Sequence, residues 1–371
     1  MIPRLDAGSL ENLEEKALNR LKWAVHELGI LVITNTQLSA YDVTEVIKSY
    51  HCFFSQDNTQ KQRVSMVRTG SNRGWGPGQS EQVNPKANPD YKEVFDCGLE
   101  LLPQDRMAEL SVYAANRWPD QPADFAPIVK SYFEKSLSVG MIVLRAIAAA
   151  TGRDVTYFDD KFSKPMALLR GNYYPPRPVG AGALDFGIAA HSDYGCLTLL
   201  ATDGQPGLEV QMPDGTWQSL TVSPGEFVIN FGEMLEMWTD GDIKATMHRV
   251  RGNDAERISI PMFLNPNYDT NVAPAGEDKV ILAGEHLSRR YNETYVHLQS
   301  KCLHAFEFDR LSTPAGFGHV RIFKFKARFQ ERSFVVNLSS KKKHLRHRCN
   351  HHPRLTLGHN LIMRISRLHI I

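Results

Sequence analysis

No two of the five cysteines, Cys52, Cys97, Cys196, Cys302 and Cys349, stand in a CxxC pair. That excludes a zinc ribbon and offers no disulfide framework, so reduced and mostly buried thiols are expected. A membrane-spanning run is missing too. The most apolar stretch, VGMIVLRAIAAATG at 139–152, is interrupted by Arg145 and falls short of the roughly 18 residues that a spanning helix needs. The opening MIPRLDAGSLENLEEKALNRL is acidic and lacks the cationic-then-apolar pattern of a secretory leader, so a cytoplasmic protein with no membrane partner is expected. Acidic residues are absent from 333–371, which hold eight Lys and Arg and six of the 14 histidines. Residues 1–300 carry 28 Lys and Arg against 38 Asp and Glu, a net charge of −10, so the overall +2 belongs to the tail. Phosphate recognition depends on clustered cations, and an acidic body excludes nucleic acid as its partner.

What is present fits an ordinary globular chain: 371 residues, 42% hydrophobic and 23% charged, enough to bury a substantial core. Leu13, Ala17, Leu21, Ala24 and Val25 recur at helical spacing, and GILVIT at 29–34 reads as a buried strand after a glycine stop. An amphipathic helix is expected at 41–55. The Gly-rich segment TGSNRGWGPGQSEQVNPKANPD at 69–90 has too many turn residues for regular structure. Long loops in compact domains are usually functional or disordered, so it is read either as a lid, with Arg73 and Trp75 as candidate substrate contacts, or as a loop whose residues are simply solvated. YKEVFDCG at 91–98 reads as a strand, and 124–151 as a long helix with Val129, Phe133, Leu137, Met141 and Leu144 on one face.

From about residue 166 the pattern changes to short β runs separated by Gly, Pro and Asp, among them MALLRGNYY, CLTLLAT, EFVINFG and RISIPMFLNP. Strands of this length and spacing predict an antiparallel barrel or jelly roll. The expected organisation is a helical and mixed region over 1–165, a β core over 166–300 and a basic, poorly ordered tail over 301–371. That tail, with KKKHLRHRCNHH, has no counter-charge and is expected to be solvated or to recruit an acidic partner.

Within the β region, HSDYG at 191–195 sets His191 and Asp193 two apart, which on a regular strand points both side chains one way. His-x-Asp alone is weak, since 14 histidines give about one such match by chance. A second imidazole, His248, lies 55 residues beyond Asp193 in ATMHRVRG. Two imidazoles and one carboxylate are what non-haem iron needs when open positions must remain for oxygen and a co-substrate. On the next β run Arg257 and Ser259 alternate, offering a guanidinium and a hydroxyl, and a guanidinium suits a dicarboxylate through paired, charge-assisted hydrogen bonds. Arg170, two residues before Asn172, is a candidate for an anionic or carbonyl-bearing substrate or for a core salt bridge.

The order NYYPP, HSDYG, GEFVINFGEMLEMWTDGDIKATMHRV and RISIPMFLNPN resembles the iron(II)/2-oxoglutarate-dependent dioxygenases of the isopenicillin N synthase-like group. ELGILVITN, FFSQDNTQK and DYKEVFDCG resemble that group's N-terminal region, so the resemblance spans about residues 2–300. It implies a double-stranded β-helix (jelly-roll) core, iron(II) on His191, Asp193 and His248, and 2-oxoglutarate held at its far carboxylate by Arg257, Ser259 and Tyr174, with Asn172 nearby. Molecular oxygen would be co-substrate, ascorbate a candidate reductant, and the reaction hydroxylation, desaturation or cyclisation of a small metabolite. Glu233 stands where the group often has Asp, and nothing in the group resembles 302–371. The Arg-x-Ser pair does not separate this enzyme from an oxidase of the same fold that needs no 2-oxoglutarate. A non-catalytic jelly-roll binding protein is the reading from a different class. Substrate identity and oligomeric state are not legible.

Overall fold

A computed structural model describes residues 1–295 except 70, 85, 178, 183 and 253, together with three strands between 307 and 338. The chain divides into two units, Met1–Leu298 and Gln299–Ile371. In the first, the strands are β1 (Arg4–Asp6), β2 (Ile30–Thr34), β3 (Gly74–Gly76), β4 (Glu93–Gly98), β5 (Leu168–Tyr174), β6 (Ile188–His191), β7 (Leu197–Thr202), β8 (Leu208–Gln211), β9 (Trp217–Ser219), β10 (Phe227–Phe231), β11 (His248–Val250) and β12 (Arg257–Leu264). They form an eight-stranded sheet in the order β1-β2-β10-β7-β12-β5-β4-β3 and a four-stranded sheet in the order β6-β11-β8-β9. This is the double-stranded β-helix that the resemblance implies. The larger sheet takes β1 to β4 from before residue 166 and its other strands from after it, so both regions share one core.

Period-two alternation explains how the large sheet serves two environments. On β12, Ile258, Ile260, Met262 and Leu264 belong to the main hydrophobic cluster, which contains the buried faces of the helices Ala40–Phe54 and Phe125–Ala150. Arg257 and Ser259 alternate with them, on the face turned away from that cluster. A second, smaller cluster including Val32, Tyr174, Val210 and Val228 gathers residues of both sheets. The helix–sheet contact is tight at Gly171, where a Cβ would come within 2.3 Å of the Tyr50 ring. Phe53, Phe95 and Phe125 interlock around it, with ring centroids 4.8 Å apart for Phe53 and Phe95 and 5.0 Å for Phe95 and Phe125. Each such buried ring contributes about 1.5–3 kcal/mol.

The helix expected at 41–55 runs Ala40–Phe54, entered through a capping box of Ser39 and Asp42. The helix expected from the Leu13 to Val25 spacing runs as Glu15–Trp23 and a π-helical turn, Ala24–Leu28, closed by Gly29 at φ +68°, and a separate short helix, Ala7–Glu11, precedes it. The Gly-rich segment departs from the expectation of irregular structure throughout, because Gly74–Gly76 pairs with β4. Gly74 is there for a close approach: a Cβ would sit 2.0 Å from the Val64 carbonyl oxygen. In the second unit β13 (Glu307–Arg310), β14 (Arg321–Ala327) and β15 (Arg332–Leu338) pair antiparallel where no regular structure is expected. The alternation of Phe323 and Phe325 with Lys324 and Lys326 is compatible with a strand but too short to stand out against the basic composition. KKKHLRHRCNHH lies outside the described residues.

Candidate metal centre and co-substrate site

β6 and β11 are neighbours in the small sheet and pair His191 directly with His248, leaving the two rings 4.4 Å apart between centroids. Asp193 follows two residues after the end of β6. Its Oδ1 lies 3.7 Å from Nε2 of His191 and 3.7 Å from Nε2 of His248, and the three potential ligand atoms fall within 4.8 Å of one another. The remaining atoms of each side chain are already engaged. His191 Nδ1 is 2.8 Å from the Ala189 carbonyl and His248 Nδ1 is 3.0 Å from that of Thr246. Both Nδ1–H groups therefore donate to backbone, which fixes the tautomer and turns the Nε2 lone pairs inward. Asp193 Oδ2 accepts from Thr198 Oγ1 and, at 2.6 Å, from Asn230 Nδ2, leaving Oδ1 to face the imidazoles. Burial, with the neighbouring His248, pushes His191 down to about 3, so it is neutral at pH 7. Burial opposes the Asp193 charge, but His248, His191 and the two hydrogen bonds hold its pKa below the ordinary value. Two imidazole nitrogens and one carboxylate oxygen suit iron(II) and leave coordination positions for other ligands.

Beyond this trio, β12 and β5 set Arg257 opposite Tyr174 and Ser259 opposite Asn172. Ser259 Oγ is 3.4 Å from the Tyr174 hydroxyl and 3.3 Å from Asn172 Nδ2, both long for such bonds. The Arg257 guanidinium packs 5.2 Å from the Tyr174 ring centroid. It is 3% exposed, and its Nη1 is buried without a hydrogen-bond partner, as is Asn172 Oδ1. An unsatisfied buried guanidinium nitrogen is costly, and a ligand carboxylate would relieve it. Burial raises the Tyr174 pKa, so its hydroxyl stays protonated as a donor.

Two family models match: the 2OG-Fe(II) oxygenase superfamily over residues 165–266, and the non-haem dioxygenase in morphine synthesis N-terminal region over residues 2–121. The chain is 33% identical over 280 residues to a 2-oxoglutarate-Fe(II) type oxidoreductase of Aspergillus fumigatus, covering 72% of this chain and 83% of that one. The chain belongs to the 2OG-Fe(II) oxygenase family. Among solved structures, a full-length Neurospora crassa protein in complex with alpha-KG matches with a TM-score of 0.67 and 26% identity over 78% of this chain and 95% of the other. JOX2 in complex with 2OG, Fe and JA matches with 0.62 and 26% over 74% and 78%. These likenesses decide between the readings left open by the sequence: the protein is a 2-oxoglutarate-dependent dioxygenase, an oxidoreductase using iron(II), 2-oxoglutarate and oxygen.

Beside the trio of this dioxygenase, a pocket is lined by His191, Asp193, Leu168, Arg170, Phe263, Leu287 and Tyr291, among others. Arg170 lines it but is committed to the protein: Nε and Nη2 grip Asp96 at 2.7 Å each, Nη1 reaches Glu81 at 3.0 Å, and Nη2 also donates to the Tyr295 hydroxyl. The core salt bridge is the alternative the structure supports for it. Arg73 and Trp75 are not among the residues lining this cavity, which corrects the expectation of a substrate-contacting pair. Arg73 is 1% exposed and donates to Asn72 and to the Val112 carbonyl, while Trp75 Nε1 donates to Glu93 at 2.7 Å. β3 carries Trp75 into the sheet, and Arg73 lies immediately before it. Glu81 and Val83 are the members of the Gly-rich segment that do line the cavity. Sequence reasoning also misses Thr198 and Asn230, whose only signal is a polar residue inside an apolar strand.

Proposed function

We propose that His191, Asp193 and His248 hold the iron of this dioxygenase, that Arg257, Ser259 and Tyr174 bind the far carboxylate of 2-oxoglutarate with Asn172 beside them, and that the substrate is a small organic molecule. The observation that carries the metal assignment is the convergence of two Nε2 atoms and Asp193 Oδ1, each left free by the hydrogen bonds on its opposite side. When bound, iron(II) couples oxidative decarboxylation of 2-oxoglutarate by oxygen to oxidation of a substrate C–H bond. The protein's own contribution is orientation and exclusion of water. Arg257 supplies a preformed buried charge that fixes one end of the co-substrate. Leu168, Phe263 and Leu287 offer apolar surface next to the trio, and Arg170, paired with Asp96 and Glu81, gives a charge-compensated wall. The cytosol is the compartment this reading favours, supported by the free thiols of Cys52, Cys97 and Cys196 among the described residues.

The test is anaerobic addition of iron(II) and 2-oxoglutarate, followed by succinate measurement in air. The expected result is a weak lilac absorption and succinate formation, both abolished in His248→Ala. Arg257→Leu should keep iron binding and raise the 2-oxoglutarate concentration needed by about tenfold or more, since a charge-assisted pair is removed. Full turnover in His248→Ala would reject the ligand assignment.

A further inference from the structure

The strand that carries His191 is irregular just before it. β6 pairs with β11 through His191–His248 and Ile188–Val250, so the register shifts by one residue between these pairs. Bulges of this kind beside active sites re-aim a side chain. The backbone groups at the irregularity are met by the segment that the sequence marks as a candidate lid: Ala189 N–H donates to Asp90 Oδ1 at 3.2 Å, and Asn84 Nδ2 donates to the Ala190 carbonyl at 3.2 Å. Ala189 in turn supplies the carbonyl that holds His191 Nδ1. Asp90 is itself anchored by Lys92 at 3.0 Å, and Lys92 binds Glu81 at 2.7 Å. Glu81 meets Arg170 at 2.7 Å, and Arg170 meets Asp96 at 2.7 Å. Five charged groups thus alternate in sign through the interior, from the cavity wall to the ligand strand. Asp90, Lys92, Glu81 and Asp96 are each 2% exposed or less. Apolar residues would fill such a space at lower cost, so buried charge here calls for a role beyond packing.

We propose that Asp90, held in place by Lys92, is a positioning residue for His191: its carboxylate fixes the backbone at Ala189, within the bulge that aims the imidazole at the metal position. The segment 77–92 is therefore a brace for a metal ligand, and through Glu81 and Arg170 it ties the cavity wall to that ligand. This inference rests on His191 being an iron ligand.

The test uses the full chain and cobalt(II) alone, titrated without air and read by its visible d–d spectrum. Asp90→Ala removes the acceptor for Ala189 N–H. Asp90→Asn keeps that acceptor but turns an amide N–H towards Lys92 and loses the anchor, so it should weaken cobalt binding less than Asp90→Ala does. A purely structural role would lower stability without moving the spectrum of the bound cobalt. For Asp90→Ala a loss of about tenfold or more is expected, with a changed spectrum, the lower end of what outer partners of metal-bound histidines contribute. A folded Asp90→Ala protein with wild-type affinity and spectrum overturns the proposal. Should Asp90→Ala fail to give a cooperative melt, the charge-balanced pair Lys92→Met with Glu81→Gln decides, since it leaves Asp90 present but unanchored. A loss of about fivefold or more supports the brace, and wild-type affinity overturns it. Wild-type protein that binds no cobalt would instead sink the ligand assignment itself.

Discussion

Glu81 shows how much a single side chain is asked to do. It is buried between Lys92 and Arg170, and although burial opposes its charge, the two cations hold its carboxyl down at about 2. Against an ordinary value of 4.5, the folded state binds the proton less tightly than the unfolded chain does. Its contribution is therefore complete above about pH 4.5 and is lost as the pH falls towards 2. The shift corresponds to about 3 kcal/mol. Asp90 and Asp96 move the other way, raised by burial, so overall acid sensitivity is a mixture and Glu81 must be isolated by difference. Urea unfolding of wild type and Glu81→Gln should show a stability gap that shrinks by more than half between pH 7 and pH 3. A constant gap would mean that Glu81 titrates as an ordinary carboxyl. At this scale the metal trio is legible from chemistry, because a His-x-Asp at a strand end and a distant His in a return strand are rare together. Asn230, Thr198, Asp90 and Lys92 are not legible. They reach the trio or its strand through tertiary contact, and no spacing along the chain records that 37 residues separate Asn230 from the carboxylate it orients.

At the scale of elements, β5 shows one strand divided between scaffold and site. Leu169 faces the helical core, while Arg170 lines the cavity and Tyr174 packs between the sheets. Gly171 belongs to the scaffold face, where the Tyr50 ring occupies the space a Cβ would need. Gly171→Ala should therefore destabilise the protein by about 1–3 kcal/mol through overpacking without weakening cobalt binding, because the strand's other face is untouched. A melting scan and a cobalt titration on the same sample separate the two effects. Cobalt affinity lost in step with stability would show that helix packing and the site are coupled. The β character of LLRGNYY and RISIPMFL is readable from alternation and flanking turn residues. The contribution of Gly74–Gly76 to the sheet is not, since glycine reads as a turn former, and only the folded chain reveals that the Val64 carbonyl leaves no room for a side chain.

For the whole molecule, the question is how much of the chain the chemistry needs. Both family matches end by residue 266, yet Tyr291, Thr294 and Tyr295 of the following helix and its end still line the cavity. A minimal catalytic unit that extends past the family's matched region, to near the boundary of the first unit at Leu298, is therefore the expectation to test. The charge distribution runs in parallel: the acidic body, net −10 over residues 1–300, carries the site, whereas the cationic excess lies beyond it. A chain ending at residue 301 should retain 2-oxoglutarate turnover to within about threefold of full length. One ending at residue 282 should lose the cavity wall and fall about tenfold or more while still binding cobalt, because every proposed metal ligand and its hydrogen-bond partners lie before that point. Succinate release and cobalt affinity, measured on both truncations with far-ultraviolet circular dichroism as the check on folding, separate these roles. Turnover lost in the longer truncation despite native circular dichroism would mean that residues beyond 301 contribute to catalysis, and the charge boundary would then not be the functional one.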